Sequence, residues 1–521
     1  MDASRNSARS RRSDAIGLLI GAILVAAISF LAARWSFERG YTLYYGDAEA
    51  HLNIARRVLD SRHPGFEQLG TVWLPLPHLL MVPFAMRDAW WRSGLAGVIP
   101  SSICFVLAGT FLFAAARRAY SSTPAGFAVA LLFALNPNML YLQSTPMTEA
   151  LFGASLAAMV WAMVWFRDSQ SPAAIVIAAA ASIAGSLTRY EGWFLIPFVA
   201  LYFLVIARRK WHAILFGGLA ALGPLAWLAH NQFYNSNALE FYNGPWSAMA
   251  IYRRDLARGM QPYPGDHDWR TAFRYYFTAA KLVVGLPLIW AGVAGAMVMF
   301  FKRAVWTRAL GPMLILALPP VFYVWSMHSS GTPIFIPTLW PFSWYNTRYA
   351  IAVLPWVAFT AGAMVAALPA RSRLYVALLI TALPAAGWWV TIKVNDQPAI
   401  CWKESEVNST ARRAWTAQAA AYLAEHYRPG SGIIYPFGDL TGVLREAGIP
   451  LRESTHEGDG ADWLLSVSKP NLALRAEWAL AFSGDDVATA VLRAARRGKN
   501  YELRKQIMVK GAPVVEIYQL R

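Results

Sequence analysis

The chain has 521 residues, 56% hydrophobic and only 15% charged. Ordinary soluble domains carry about 25% charged residues, so a freely soluble enzyme is excluded. The deficit is uneven: 31 of the 127 residues from Asn395 onward are Asp, Glu, Lys or Arg, against 46 of the first 394. The net charge of +17 lies almost wholly in that first part, between apolar runs. A nucleic-acid binder would concentrate it on one soluble face, so no nucleic-acid partner is expected. Two cysteines, Cys104 and Cys401, make no disulfide framework.

In chain order, residues 1–14 form a basic N-terminus with Arg5, Arg9, Arg11 and Arg12. Residues 15–394 read as a polytopic α-helical membrane body. Runs free of Asp, Glu, Lys and Arg fall near 15–33, 94–116, 124–143, 150–166, 171–188, 193–207, 212–229, 282–301, 309–327, 349–370 and 374–392. Each approaches the roughly 20 residues that cross a bilayer, giving about eleven transmembrane helices. The first run exceeds a signal-peptide core and lacks a small-residue cleavage site, so it is expected to be retained. Trp73–Met86 is also apolar, but Pro75, Pro77 and Pro83 make it a re-entrant or interfacial piece.

Every second junction is basic: Arg117-Arg118, Arg167, Arg208-Arg209-Lys210, Lys302-Arg303 with Arg308, and Arg371 with Arg373. The positive-inside rule then predicts a cytoplasmic N-terminus in the inner (plasma) membrane and, after an odd number of spans, an extracytoplasmic tail. The outer loops are 35–92, 230–281 and 328–348. Twelve of the body's 15 acidic residues fall on that side, which is where long, specific loops gather working residues.

Residues 395–521 read as a small soluble α/β domain. Strands are expected at Gly432–Phe437, Trp463–Val467 and Pro513–Tyr518, with a helix at Asp439–Ala447 ended by Gly448. The tail has no glycine-rich phosphate loop, no HExxH and no Cys/His ligand spacing, so a structural or acceptor-facing role is expected.

The first outer loop opens Tyr44-Tyr45-Gly46-Asp47-Ala48-Glu49-Ala50-His51. Asp47, just beyond the first span, is placed to act as general base at the membrane surface, or to cap the helix it opens. His51, four residues on, shares its face and makes a two-ligand metal set conceivable, although no metal is required. Glu149, after Ser144-Thr145-Pro146-Met147-Thr148, opens a span on the same side. It either bears on acceptor hydroxyls and the base or merely suits the positive helix end. Arg189, in Thr188-Arg189-Tyr190-Glu191, and Arg348, before Tyr349, lie outside against the positive-inside trend. Each is a snorkelling anchor or, as a pair beside tyrosines, a fork for phosphate oxygens. Glu191 is positioned to neutralise Arg189. His78 suits a lipid phosphate or a satisfied interfacial site, and Asp266-His267-Asp268 reads as a solvated turn.

This layout resembles the GT-C glycosyltransferases, integral membrane enzymes that use polyprenyl-phosphate sugars. It is most similar to the bacterial group around protein O-mannosyltransferases and lipid A aminoarabinose transferases. The resemblance rests on Gly46-Asp47-Ala48, on Thr148-Glu149 and on Arg348-Tyr349 followed by Leu354-Pro355. It implies that Asp47 is the catalytic base, that outer-face arginines hold the lipid phosphate, and that an inverting transferase moves a sugar to a lipid, glycan or protein hydroxyl. Many relatives carry a paired acid in the first loop. Here Ala48 follows Asp47 and Glu49 stands one position further, which leaves open whether Glu49 takes part. The rival readings are a lipid-linked glycan flippase or transporter, and a polymerase or ligase of polyprenyl-linked glycans. Coupled transport is disfavoured because the ionisable residues gather at span ends rather than near the midplane.

Overall fold

A computed structural model of the chain describes residues 2–329 and 331–521, the side chains of 2–14 and 303–305 excepted. The N-terminal arginine cluster therefore lies outside the described side chains. The chain divides into two compact units. One comprises Met1–Gly40, Thr71–Pro77 and Pro100–Glu404; the other comprises Tyr41–Gly70, His78–Ile99 and Ser405–Arg521.

Among the described residues, seven helices are long and apolar enough to cross a membrane: Ala15–Glu38, Leu95–Tyr120, Glu149–Ser169, Trp211–Asn235, Trp306–His328, Thr347–Ala366 and Ala370–Val394. Two more candidates are broken pairs. Thr123–Ala134 meets Pro137–Gln143 at 69°, because Asn136 turns its side chain onto the Met139 N–H and Pro137 starts a new helix. Trp269–Val284 meets Leu286–Phe301 at 106°, turning on Gly285 at φ 88°, which a side chain would disfavour. The span expected at 282–301 therefore starts only after this corner. The runs at 171–188 and 193–207 are helices of 15 and 16 residues, Pro172–Ser186 and Glu191–Ile206, short of a full crossing. Among the described residues, the helices that meet this test of length and composition number seven, or up to nine with the bent pairs, against the eleven expected.

Small residues set the close approaches. A methyl group on Gly292 would lie 2.8 Å from the Val357 Cα, and one on Gly295 would collide with the Thr360 carbonyl. Helices Leu286–Phe301 and Leu354–Ala366 thus touch backbone to backbone, as apolar helices without a hydrophobic drive between them must.

The second unit is built on a five-stranded sheet. Its strands are β1 (Ile433–Ile434), β2 (Ser454–Thr455), β3 (Trp478–Phe482), β4 (Tyr501–Ile507) and β5 (Val515–Leu520), in the order β2-β1-β3-β5-β4. β1 is parallel to β2 and β3, whereas β5 is antiparallel to β3 and β4. Leu52 and Trp91 from the first loop share one core with Trp415, Leu423, Tyr435, Trp478 and Ile517. Trp463–Val467, expected as a strand, is part of helix Ala461–Ser468. That short apolar run fits either period, and Gly460 and Pro470 leave room for only two turns. The first expected strand shrinks to Ile433–Ile434, and the last shifts to Val515–Leu520.

Candidate active site

In the first unit, the turn between helices Pro172–Ser186 and Glu191–Ile206 presents Arg189. The turn is tight: a Cβ on Gly192 would sit 2.5 Å from the Gly185 carbonyl carbon, so only glycine fits. Arg189 donates through Nε to Glu191 (2.6 Å), through one terminal nitrogen to Thr148 Oγ1 (2.6 Å) and Glu149 (3.2 Å), and through the other to the Tyr323 hydroxyl (2.5 Å). The Tyr323 hydroxyl in turn donates to Glu191. Arg348 approaches Glu149 from another side at 3.3 Å and Glu404 at 3.7 Å. Both guanidiniums lie over the Tyr349 ring, at 5.1 and 4.9 Å from its centroid, and Tyr349 stacks on Tyr323.

Glu404 is the residue that sequence reasoning missed. It is 1% exposed and accepts the backbone N–H groups of Asn346 (3.0 Å) and Thr347 (2.8 Å) together with the Thr347 hydroxyl. Burial pushes its carboxyl above the ordinary range, against the pull of Arg348 and the Thr347 and Asn346 hydrogen bonds. Tyr323 was missed too; a hydroxyl inside the apolar Pro319–Trp325 run was its only signal.

Thr148, Glu149, Arg189, Glu191, Arg348 and Tyr349 therefore converge. Glu149 begins its helix without a side-chain cap at Thr148, whose hydroxyl serves Arg189 instead. Its Oε2 is buried without a hydrogen-bond partner. Glu149 lines a cavity of about 30 Å³ together with Phe133, Phe152, Tyr323, Tyr349 and Pro355, enough space for a water molecule. Tyr190 stands apart from the arginines. Its hydroxyl donates to the Val72 carbonyl (2.7 Å) and its ring stacks on Phe241.

Asp47, Glu49, His51 and His78 belong to the second unit. Helix Gly46–Arg57 starts with Tyr45 as N-cap and no side-chain cap, so the capping reading of Asp47 fails: it stands half-buried in the first turn. Glu49 is buried in ion pairs with Arg445 (3.0 Å) and Arg412 (3.6 Å). Arg412 also donates to the carbonyls of Leu43 (3.0 Å) and Tyr44 (2.8 Å), and Arg413 lies on the Tyr44 ring. The backbone that leads into Asp47 is thus gripped by helix Ile400–His426. Asp439, whose side chain is 57% exposed, reaches the same Arg412 at 3.6 Å.

His51 pairs with His78 through ring nitrogens 2.8 Å apart. Burial, then His51 and Arg57, holds the His78 imidazole well below the ordinary histidine range. No three His, Cys, Asp or Glu side chains come together as a metal set among the described residues. Asp266-His267-Asp268 serves structure: Asp266 accepts from the Tyr252 hydroxyl and Asp268 caps the next helix.

The family model of dolichyl-phosphate-mannose-protein mannosyltransferases matches residues 91–230. ArnT from Cupriavidus metallidurans, crystallised bound to undecaprenyl phosphate, shares 14% identity at a TM-score of 0.57, with 95% of this chain and 97% of that one covered. Its apo form aligns at 15% identity with the same coverage and TM-score. The Archaeoglobus fulgidus oligosaccharyltransferase in its apo form aligns over 93% of this chain and 73% of its own at 13% identity, with a TM-score of 0.48. No curated relative matches the chain. The protein is a polytopic helical membrane protein with a small sheet-containing domain. Its fold is similar to that of ArnT from Cupriavidus metallidurans.

Proposed function

We propose that the protein transfers a sugar from a polyprenyl-phosphate donor to an acceptor hydroxyl at the extracytoplasmic face. The observation that carries this reading is the buried pair Arg189 and Arg348, braced by Glu149, Glu191 and Glu404 under Tyr349. Guanidiniums fixed by carboxylates cannot swing, so their charge is in place before a leaving phosphate needs it. The shared fold supports the donor class, since ArnT from Cupriavidus metallidurans was crystallised with undecaprenyl phosphate.

In this reading the acceptor oxygen attacks the anomeric carbon while the bond from that carbon to the phosphate oxygen breaks, with inversion. Asp47 takes the hydroxyl proton, and the arginines receive the charge that develops on the phosphate. Glu149 orients both arginines, Tyr349 covers them and Tyr190 stiffens the turn. Glu49, His51 and His78 hold the helix that carries Asp47. The reaction as written requires no metal ion. The isoprenoid tail explains why such an enzyme is embedded in a bilayer.

Binding tests the reading. Purified protein should bind undecaprenyl phosphate in preference to undecaprenol, which lacks the phosphate. Arg348→Gln should remove that preference. Equal binding of both lipids by the wild-type protein would overturn the phosphate assignment.

A further inference from the structure

Arg57 ends helix Gly46–Arg57 and belongs to the second unit. It is 8% exposed, and one of its nitrogens is committed to structure. Nε donates to the Gln68 carbonyl (2.5 Å), while the guanidinium lies over the Phe437 ring, 4.2 Å from its centroid. The two terminal nitrogens make no hydrogen bond and no ion pair among the described residues. The other buried arginines of this unit are paired with carboxylates: Arg56 with Asp60, and Arg412 and Arg445 with Glu49. Burial pushes Arg57 down to about 10, against the pull of Tyr435, Glu457 and Asp459. A buried cation without a partner is costly unless a ligand supplies the opposite charge.

Further unpartnered atoms gather round it. Phe437 also packs against His456, with ring centroids 5.1 Å apart. His456 is fully buried, and its Nδ1 accepts the Gly458 N–H (3.0 Å). That bond leaves the proton of the neutral ring on Nε2, which has no partner. Gln68, also fully buried, donates through its amide nitrogen to the carbonyls of His63 (2.9 Å) and Gly458 (3.0 Å). Its Oε1 has no partner. A Cβ on Gly458 would lie 2.7 Å from that oxygen and 2.8 Å from His456 Cε1, so the bare glycine lets the two come together. Asp459 accepts the His456 backbone N–H through Oδ2 (2.8 Å), and its Oδ1 is buried and unpartnered as well. Native interiors rarely leave so many polar atoms unpaired around one loop.

We propose that Arg57, His456, Gln68 and Asp459 form a binding site in the second unit for an acidic sugar, held by its carboxylate. The donors and acceptors select this class. The guanidinium fork and the His456 Nε2–H suit a carboxylate. Gln68 Oε1 and an ionised Asp459 Oδ1 can only accept, and sugar hydroxyls are the donors that match them. Glu457 and Asp459 act on the Arg57 charge from nearby, so a singly charged carboxylate suits the site better than a doubly charged phosphate. Arg57 stands ten residues beyond Asp47 on one helix, about 15 Å along its axis. In the transfer reading, on which this last step rests, one sugar of an acceptor is held by its carboxylate while another presents its hydroxyl to Asp47. Binding itself does not depend on that reading.

The test titrates the purified full-length protein with glucuronate, glucose and glucose 6-phosphate and reads binding by saturation-transfer NMR. Glucuronate should bind about ten-fold more tightly than glucose, which lacks the carboxylate, and more tightly than glucose 6-phosphate. Arg57→Gln should abolish the preference over glucose. Arg57→Lys keeps the charge and loses the fork, so it should retain only part of it. His456→Asn leaves Arg57 in place and should also weaken glucuronate, which keeps the site testable where an Arg57 variant does not fold. Wild-type and Arg57→Gln protein should bind undecaprenyl phosphate alike, so failure of this site and failure of the lipid-phosphate reading are seen separately. No glucuronate binding, equal binding of glucuronate and glucose, or an unchanged preference in Arg57→Gln would overturn the site. Tighter binding of glucose 6-phosphate would overturn its selectivity for a carboxylate.

Discussion

Asp47 and Glu49 stand two residues apart in different surroundings. Neighbours at that spacing point to different sides of a helix. Glu49 is buried between Arg445 and Arg412, while Asp47 stays half-exposed in the first turn. The sequence left open which of the two is the base; Glu49 is engaged in ion pairs with Arg445 and Arg412, and the proposed mechanism assigns the proton to Asp47. Asp47→Asn should lower transfer about 10²–10⁴-fold with the fold and donor binding intact. Glu49→Gln should instead cost about 3–5 kcal/mol of stability by stranding two buried cations, which a thermal melt of the purified protein reads. Arg412→Gln tests the grip on Leu43 and Tyr44. Loosening that backbone by about 1 Å should lower turnover roughly 10²-fold at unchanged donor affinity. Turnover at the wild-type rate would make Arg412 a purely structural clamp. None of these partners was legible locally, because Arg412 and Arg445 lie far along the chain in a stretch of ordinary soluble composition.

At the scale of elements, the apolar helices were readable because length and hydropathy are local properties. What broke them was not composition but corners, at Asn136-Pro137 and at Gly285. The sheet was read poorly because β1 and β2 are two residues each and owe their existence to their neighbours. In the Arg189–Arg348 network, the two arginines were legible as departures from the expected charge trend, whereas Glu404 was not, since nothing marks an acid in Lys403-Glu404-Ser405-Glu406 as buried. Arg348→Lys keeps the charge and loses the fork, so transfer should fall about 10²–10³-fold. Turnover normalised to folded protein, compared with Arg348→Trp, separates this from anchoring; equal activity of the two variants would make Arg348 an anchor.

The loop that carries His456 makes a second prediction. Burial, then Arg57, pushes this imidazole down to about 3. Its folded pKa lies below its unfolded value, so the unfolded chain binds the proton first and stability is lost as pH falls below about 6.5. The loss should reach about 1.4 kcal/mol per pH unit from this group. His456→Asn should flatten the fall of the melting temperature between pH 6.5 and pH 4 by that contribution; an unchanged slope would mean that the ring is already charged in the folded state.

Over the whole molecule, the division into an apolar body and a charged tail was visible from composition. The chain segments Tyr41–Gly70 and His78–Ile99 packing into one unit with Ser405–Arg521 could not be seen, because that core joins residues hundreds of positions apart through contacts such as Leu52 and Trp91 with Trp478. The central claim is that the sugar leaves a lipid phosphate by bond cleavage. It is tested most directly by incubating the purified protein with polyprenyl-phosphate sugars labelled in the sugar and following both halves of the donor. The account predicts free polyprenyl monophosphate in step with labelled acceptor, and neither product from Asp47→Asn. A donor that crosses the bilayer with its sugar–phosphate bond intact, or a labelled acceptor formed equally well by Asp47→Asn, would contradict it.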